Sequence, residues 1–99
     1  MIIFARSANI ASGKIGSAIA FAHEIASYAK DKHGLDLEVL MPIGGNPNRI
    51  AWTSRYESLA DFEVMSAKLL SDNDYMTLVS NNADNFIAGS IRDNIWRKM

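Results

Sequence analysis

The chain opens on three consecutive apolar residues, Ile2, Ile3 and Phe4, within MIIFARSANI. Apolar residues at successive positions predict a strand over residues 1–10 that is apolar on both faces at its start. Ser12-Gly13 then supplies a stop and a candidate helix N-cap. From Ile15 onward, Ala18, Ile19, Ala22, Ile25, Ala26 and Ala29 recur at helical spacing, which predicts a long helix whose alanine-rich face packs closely on whatever it covers. His33 and Gly34 close it, a basic residue in the last turn and a glycine just beyond. Leu35, Leu37, Val39 and Met41 alternate with Asp36 and Glu38, predicting a strand over 35–43 with one wetter face. Gly44-Gly45-Asn46-Pro47-Asn48 is the strongest turn signal, and RIAWTSRY, residues 49–56, alternates again. The two runs around that glycine-containing loop read as a hairpin.

Ser58 opens a second helix, with Asp61 three residues on in the manner of a capping box. Leu59, Phe62, Met65, Leu69 and Leu70 form its apolar stripe. The helical signal breaks near Ser71–Asp74 and restarts with Asp72 as a second N-cap, followed by Tyr75, Met76, Val79, Ala83 and Phe86. Gly89 stops it, and SIRDNIWRK, residues 90–98, alternates as a final strand. Strand, helix, strand, strand, helix, strand is the ferredoxin-like split βαβ order. The expected fold is therefore α+β, a single domain over residues 1–99 with a four-stranded antiparallel sheet and its helices on one face. The other sheet face is then bare. An apolar strand on an uncovered face predicts a partner, and a homodimer with two sheets paired face to face is the commonest solution.

Composition narrows the function classes. The chain has 99 residues, 48% hydrophobic and 21% charged, with 10 basic and 11 acidic residues for a net charge of −1. That balance argues against nucleic acid as a partner, because binding a phosphate backbone needs a basic surface. With no cysteine, disulfides, zinc–thiolate sites, iron–sulfur clusters and thiol catalysis are excluded. No apolar run approaches the roughly 18 residues that span a bilayer, and the N-terminal stretch lacks the basic start of a signal peptide, so the expected setting is cytoplasmic with no membrane partner.

Few residues carry chemistry. His23 lies near the apolar stripe of the first helix and reads either as a partly buried structural histidine or as a pocket acid or base. His33 reads as a helix C-terminal cation. The two histidines stand ten residues apart on one helix, too far to share an ion, and Asp72-Asn73-Asp74 lacks the glycine and distal glutamate of a calcium loop. No metal site is expected. ANIASGKIG, residues 8–16, lacks the distal glycine and the following serine or threonine of a phosphate loop. Ser27-x-x-Lys30 has no companion motif and reads as an exposed helix face. Arg6, Arg49, Arg55, Arg92 and Arg97 all fall in predicted strands, where salt bridging with Asp36, Glu38, Glu57 and Asp93 is the plain reading. An anionic ligand held by Arg6 or Arg55 is the functional one. Trp96 is a candidate dimer contact, and Trp52 either fills the core or walls a pocket.

The stretch GGNPNRIAWTSRYESLADFE, followed shortly by KLLSDNDY, resembles the dimeric α+β barrel superfamily, and within it the NIPSNAP-type domains. The topology covers the whole chain, and the motif covers roughly residues 44–75. The resemblance implies a homodimer and a ligand cleft between sheet and helices, here lined by Asn9, His23, Trp52 and Tyr75. For the haem-degrading members it implies an asparagine on the first strand, a tryptophan on the third and a histidine on the second helix. Asn9 and Trp52 stand for the first two, but the second helix holds no histidine. Two functions follow as expectations. One is a small-molecule-binding protein, a cofactor-independent monooxygenase or isomerase whose reaction the sequence does not assign and whose only near-neutral base is His23. The other is a non-enzymatic, NIPSNAP-like interaction or scaffold domain.

Overall fold

The computed structural model describes all 99 residues. Four strands and three α-helices follow the expected order: β1 (Ile2–Asn9), α1 (Ile15–His33), β2 (Glu38–Leu40), β3 (Arg49–Tyr56), α2 (Leu59–Leu70), α3 (Asn73–Asn81) and β4 (Arg92–Arg97). A short 3₁₀ turn, Ala83–Asn85, joins α3 to the last strand's approach. The sheet order is β2-β3-β1-β4, antiparallel throughout. This is the ferredoxin-like arrangement that the sequence order predicts.

The register assigns each strand residue to a face. Ile2, Phe4, Arg6 and Ala8 pair with Tyr56, Ser54, Trp52 and Ile50, and Phe4 and Arg6 also pair with Ile95 and Asp93. These residues face the helices, as the ring contact of Phe4 with Phe62 of α2 shows. Ile3, Ala5, Ser7 and Asn9 turn the other way, beside Arg55, Thr53, Ala51 and Arg49 on β3 and Trp96, Asn94 and Arg92 on β4.

The core lies under α1. That helix buries Ala18, Phe21, Ala22, Ile25 and Ala29, a stripe at helical spacing, and the alanines let it sit close to the fully buried Ile50. Phe21, Trp52 and Phe86 form a triangle of edge-on rings with centroids 5.9–6.2 Å apart.

Four local expectations are corrected. The N-cap of α1 is Lys14, without a side-chain bond, because Gly13 takes a left-handed φ of 76° in the turn closed by Lys14 N–H to the Ala11 carbonyl. The second strand is only Glu38–Leu40, not 35–43. Gly34 is left-handed and Leu35 N–H bonds the Ala29 carbonyl, so buried Leu35 completes the helix cap instead of entering the sheet. At the other end Pro42 has no N–H to extend the ladder. The restarted helix ends at Asn81, not near Phe86. Phe86 becomes extended, bridges to Ile10 and places its ring in the core triangle. His23 is exposed, so the partly buried structural histidine does not describe it.

Candidate functional site

The two halves of the helical layer differ. Helix α1 buries five side chains, whereas α2 and α3 fully bury none. The edge strand β4 keeps every residue exposed, and polar groups collect beside it. Arg6 donates from Nε and Nη2 to the two carboxylate oxygens of Asp93 at 2.7 and 2.9 Å, a bidentate pair fixed by strand register. The pair stays open to solvent, with side chains 47% and 41% exposed. The guanidinium lies 5.6 Å from the Phe4 ring centroid, and Phe4 in turn packs on Phe62 and Phe62 on Tyr56. Buried Ser54 donates to the Tyr56 hydroxyl at 3.0 Å. Ile95, two residues from Asp93 on the same face of the edge strand, is half exposed.

Charge and burial tune these groups. Hydrogen bonding to Asp93 pushes the Arg6 guanidinium above its ordinary value, against the opposing effect of burial. Burial pushes the Tyr75 phenol up, against the neighbouring Arg6 charge. Tyr75 therefore keeps its proton near neutral pH. Arg6 and Asp93 set a fixed cation–carboxylate pair beside the aromatic rings of Phe4, Phe62 and Tyr56, a combination suited to a flat organic molecule with a polar edge.

A second cluster holds α3 in place. The Tyr28 hydroxyl donates to both oxygens of Asp72 at 2.9 and 2.7 Å, and His33 Nε2 lies 2.8 Å from Asp72 Oδ2. Asp72 Oδ1 also accepts the backbone N–H groups of Asp74 and Tyr75 as the N-cap of α3. These bonds, led by that from Tyr28, hold the Asp72 carboxyl down at about 2. The same carboxylate pushes the Tyr28 phenol up to about 12. An ionised Asp72 only accepts, so His33 carries its proton on Nε2.

The structure does not bring the four expected cleft residues together. Tyr75 is half-buried on α3, with its ring 6.3 Å from that of Tyr28. Trp52 is in the core triangle, with its indole N–H directed to the Ala22 carbonyl at 3.4 Å. His23 lies across the molecule, in a surface pocket of about 450 Å³ with Ser27, Lys30, Asp31, Asp36 and Val39. Asn9 lines a pocket of about 350 Å³ at the sheet end with Ser12, Asn46, Asn48 and Ile87. Asn9 pairs with Arg49, three residues before Trp52, so the two residues face opposite sides of the sheet. With no histidine in α2 or α3 as well, the residues present do not fit a haem group. No group of three or more His, Asp or Glu side chains is gathered as a metal ion would need. Arg6 and Arg55 take the salt-bridge reading, with Arg6 on Asp93 and Arg55 Nε 3.8 Å from Glu38, on opposite sheet faces. Lys30, not an arginine, pairs with Asp36.

Pattern reading missed the Tyr28–Asp72–His33 cluster. Asp72 was visible as a cap, but its partners lie 39 and 44 residues away in sequence.

No protein-family model matches the sequence, and no curated protein matches it. Solved structures do match. A NIPSNAP domain protein from Burkholderia xenovorans superposes with a TM-score of 0.84 at 11% identity, over 100% of this chain and 95% of that one. A NIPSNAP family protein of unknown function from Agrobacterium tumefaciens gives 0.76 at 20% identity, over 97% and 86% of the two chains. A protein from Nitrosomonas europaea, provisionally named an antibiotic biosynthesis monooxygenase, gives 0.75 at 15% identity over 100% and 99%. The chain has the fold of these domains. At such identities the likeness concerns architecture, and function must be argued from the site. No helix is long and apolar enough to cross a membrane.

Proposed function

We propose that this chain binds a small organic molecule in the groove between α2–α3 and the helix face of β1 and β4, as a homodimer paired through its open sheet face. The observation that carries the ligand reading is the Arg6–Asp93 pair. It is fixed beside Phe4, yet left accessible where the covering helices fully bury no side chain. The name given to the Nitrosomonas neighbour supports a small-molecule ligand for this fold. The reading is of binding and not of turnover. His23 is remote from the groove, Asp93 is committed to Arg6, and Tyr75 holds its proton.

The homodimer is supported by what the open face carries. Its centre is Ala5, Ser7, Ala51 and Thr53, small and uncharged, with Ile3, Leu40 and Trp96 around it and Arg49, Arg55 and Arg92 at the margins. Depletion of charge at the centre with polar groups at the rim is how protein interfaces are built. A second reading, an interaction domain like the NIPSNAP neighbours of unknown function, is favoured by the number of exposed apolar side chains, among them Val64 and Leu70 on α2.

Native mass spectrometry of the gently purified protein, beside Arg6→Met, tests this. The expected result is a dimer carrying an organic molecule that Arg6→Met loses. A bound molecule that Arg6→Met retains places the ligand elsewhere, and a dimer with no ligand favours the interaction domain. A monomer overturns the paired-sheet argument.

A further inference from the structure

We propose that a second ligand site lies at the end of the sheet, where the β1–α1 turn meets the β2–β3 loop, and that it takes a small neutral molecule bearing hydroxyl or amide groups. A cavity of about 350 Å³ opens there, within the size range of small-molecule sites. Its polar lining is Asn9 at the end of β1, Ser12 in the turn, and Asn46 and Asn48 in the loop. Ile10, Ile15 and Ile87 give it an apolar side. No charged side chain lines it.

That composition sets the class of ligand. A primary amide both donates and accepts hydrogen bonds, and so does a hydroxyl. Of the four polar side chains only Asn46 is bonded within the chain, its Oδ1 accepting the Asn48 N–H at 2.9 Å. The amides of Asn9 and Asn48 and the Ser12 hydroxyl are left for water or a ligand. A molecule with its own donors and acceptors replaces that water bond for bond. An ionic group would meet no opposite side-chain charge in exchange for its hydration. The isoleucines suit the carbon side of the same molecule.

The cavity is formed in advance. Ile10 N–H bonds the Asn48 carbonyl at 2.7 Å, Ala11 N–H the Asn85 carbonyl at 2.9 Å, and Ile87 N–H the Asn9 carbonyl at 2.9 Å. The end of β1, the turn after it, the hairpin loop and the approach to β4 are thus tied together by backbone bonds that leave the Asn9 and Asn48 amides free. Walls held this way lose little freedom when a ligand arrives. The site is separate from the Arg6–Asp93 pair, because Arg6 faces the helices and Asn9 the other side of the sheet. Neither reading depends on the other.

The test is a nuclear magnetic resonance titration of the intact protein, followed at the Asn9, Asn46 and Asn48 side-chain amides and the Ile10, Ile15 and Ile87 methyls. The probes are glucose, ribose, N-acetylglucosamine and N-methylacetamide. Acetate and inorganic phosphate stand beside them, as the ions that the uncapped start of α1 alone would attract. The expected result is a saturable shift at these groups with at least one neutral probe, and none with either ion. Asn9→Ala and Asn48→Ala keep the backbone bonds, and each should weaken that binding roughly tenfold, the scale of one lost hydrogen bond. If no neutral probe gives a saturable shift there, the proposal fails. Saturation by acetate or phosphate alone would replace it with an anion site at the helix start. Equal affinity in both variants, with their spectra otherwise native, would remove the amides from recognition and overturn it as well.

Discussion

At the residue scale, Trp52 and His23 show how burial decides what a conspicuous side chain does. Both stand out in a sequence with two tryptophans and two histidines. Trp52 faces α1, partly buried against the core and packed between Phe21 and Phe86. Trp52→Ala should cost about 3 kcal/mol, the usual range for emptying an aromatic site. In a domain of this size that lowers Tm by roughly 12 °C or more. Trp52→Phe keeps most of the apolar contact and should lose much less. His23 is exposed on the outer side of α1, so His23→Ala should stay within about 0.5 kcal/mol of the parent. Thermal melts of the three variants check this order. A large loss on removing His23 would show a contact that the exposed side chain does not have here.

At the element scale, α3 should respond to pH at both extremes through one carboxylate. Asp72 is held at about 2, below its ordinary 3.8. A depressed acid stabilises the fold above its unfolded value, and that contribution is lost as pH falls from about 4 towards 2. Tyr28 is pushed from 10.0 up to about 12. A raised phenol stabilises the fold below its unfolded value, and that contribution is lost as pH rises from about 10 towards 12. Asp72→Asn should flatten the stability profile in both windows, and Tyr28→Phe should flatten the alkaline one outright. Denaturant midpoints at pH 2–4 and 10–12 measure this, and an unchanged acid slope in Asp72→Asn would mean that other carboxylates set it.

The same helix shows how far the sequence could be read. Ser58 and Asp72 announced both helix starts, because capping is local chemistry: each side chain accepts from N–H groups two or three residues on. The helix–strand order and the apolar stripe of α1 were legible for the same reason, as short periodic signals. The end of α3 was not, because Phe86 leaves the helix to fill a space made by Phe21 and Trp52, far from it in sequence. Nor was the groove. Arg6 faces Asp93 only because β1 and β4 pair across 87 residues, and a list of candidate residues does not say which sheet face each one takes. Asn9 and Trp52 both suited one cleft by residue type, and the pleat put them on opposite sides.

At the scale of the whole molecule, the balance of buried and exposed apolar surface argues for a second copy. Only 12 of the 99 residues are buried, while Trp96 is 61% exposed and Ile95 50% exposed on opposite faces of the edge strand β4. A chain this short has little core to spare, and leaving large apolar side chains in water forgoes stabilisation of about 25 cal/mol for each Å² that could be covered. Trp96 shares a row of the open face with Ile3 and Arg55, at a corner where a paired sheet would cover it. Trp96→Glu puts a charge there, and a buried unpaired carboxylate costs several kcal/mol, enough to shift a dimer of ordinary affinity to monomer at micromolar concentration. Ile95→Glu, on the helix face of the same strand, should leave assembly intact, because pairing through the open face does not cover it. Sedimentation velocity over a hundredfold concentration range separates these cases. A dimer that survives Trp96→Glu would move the interface off the open face, and one broken by Ile95→Glu alone would place it on the groove side, where it would compete with the ligand.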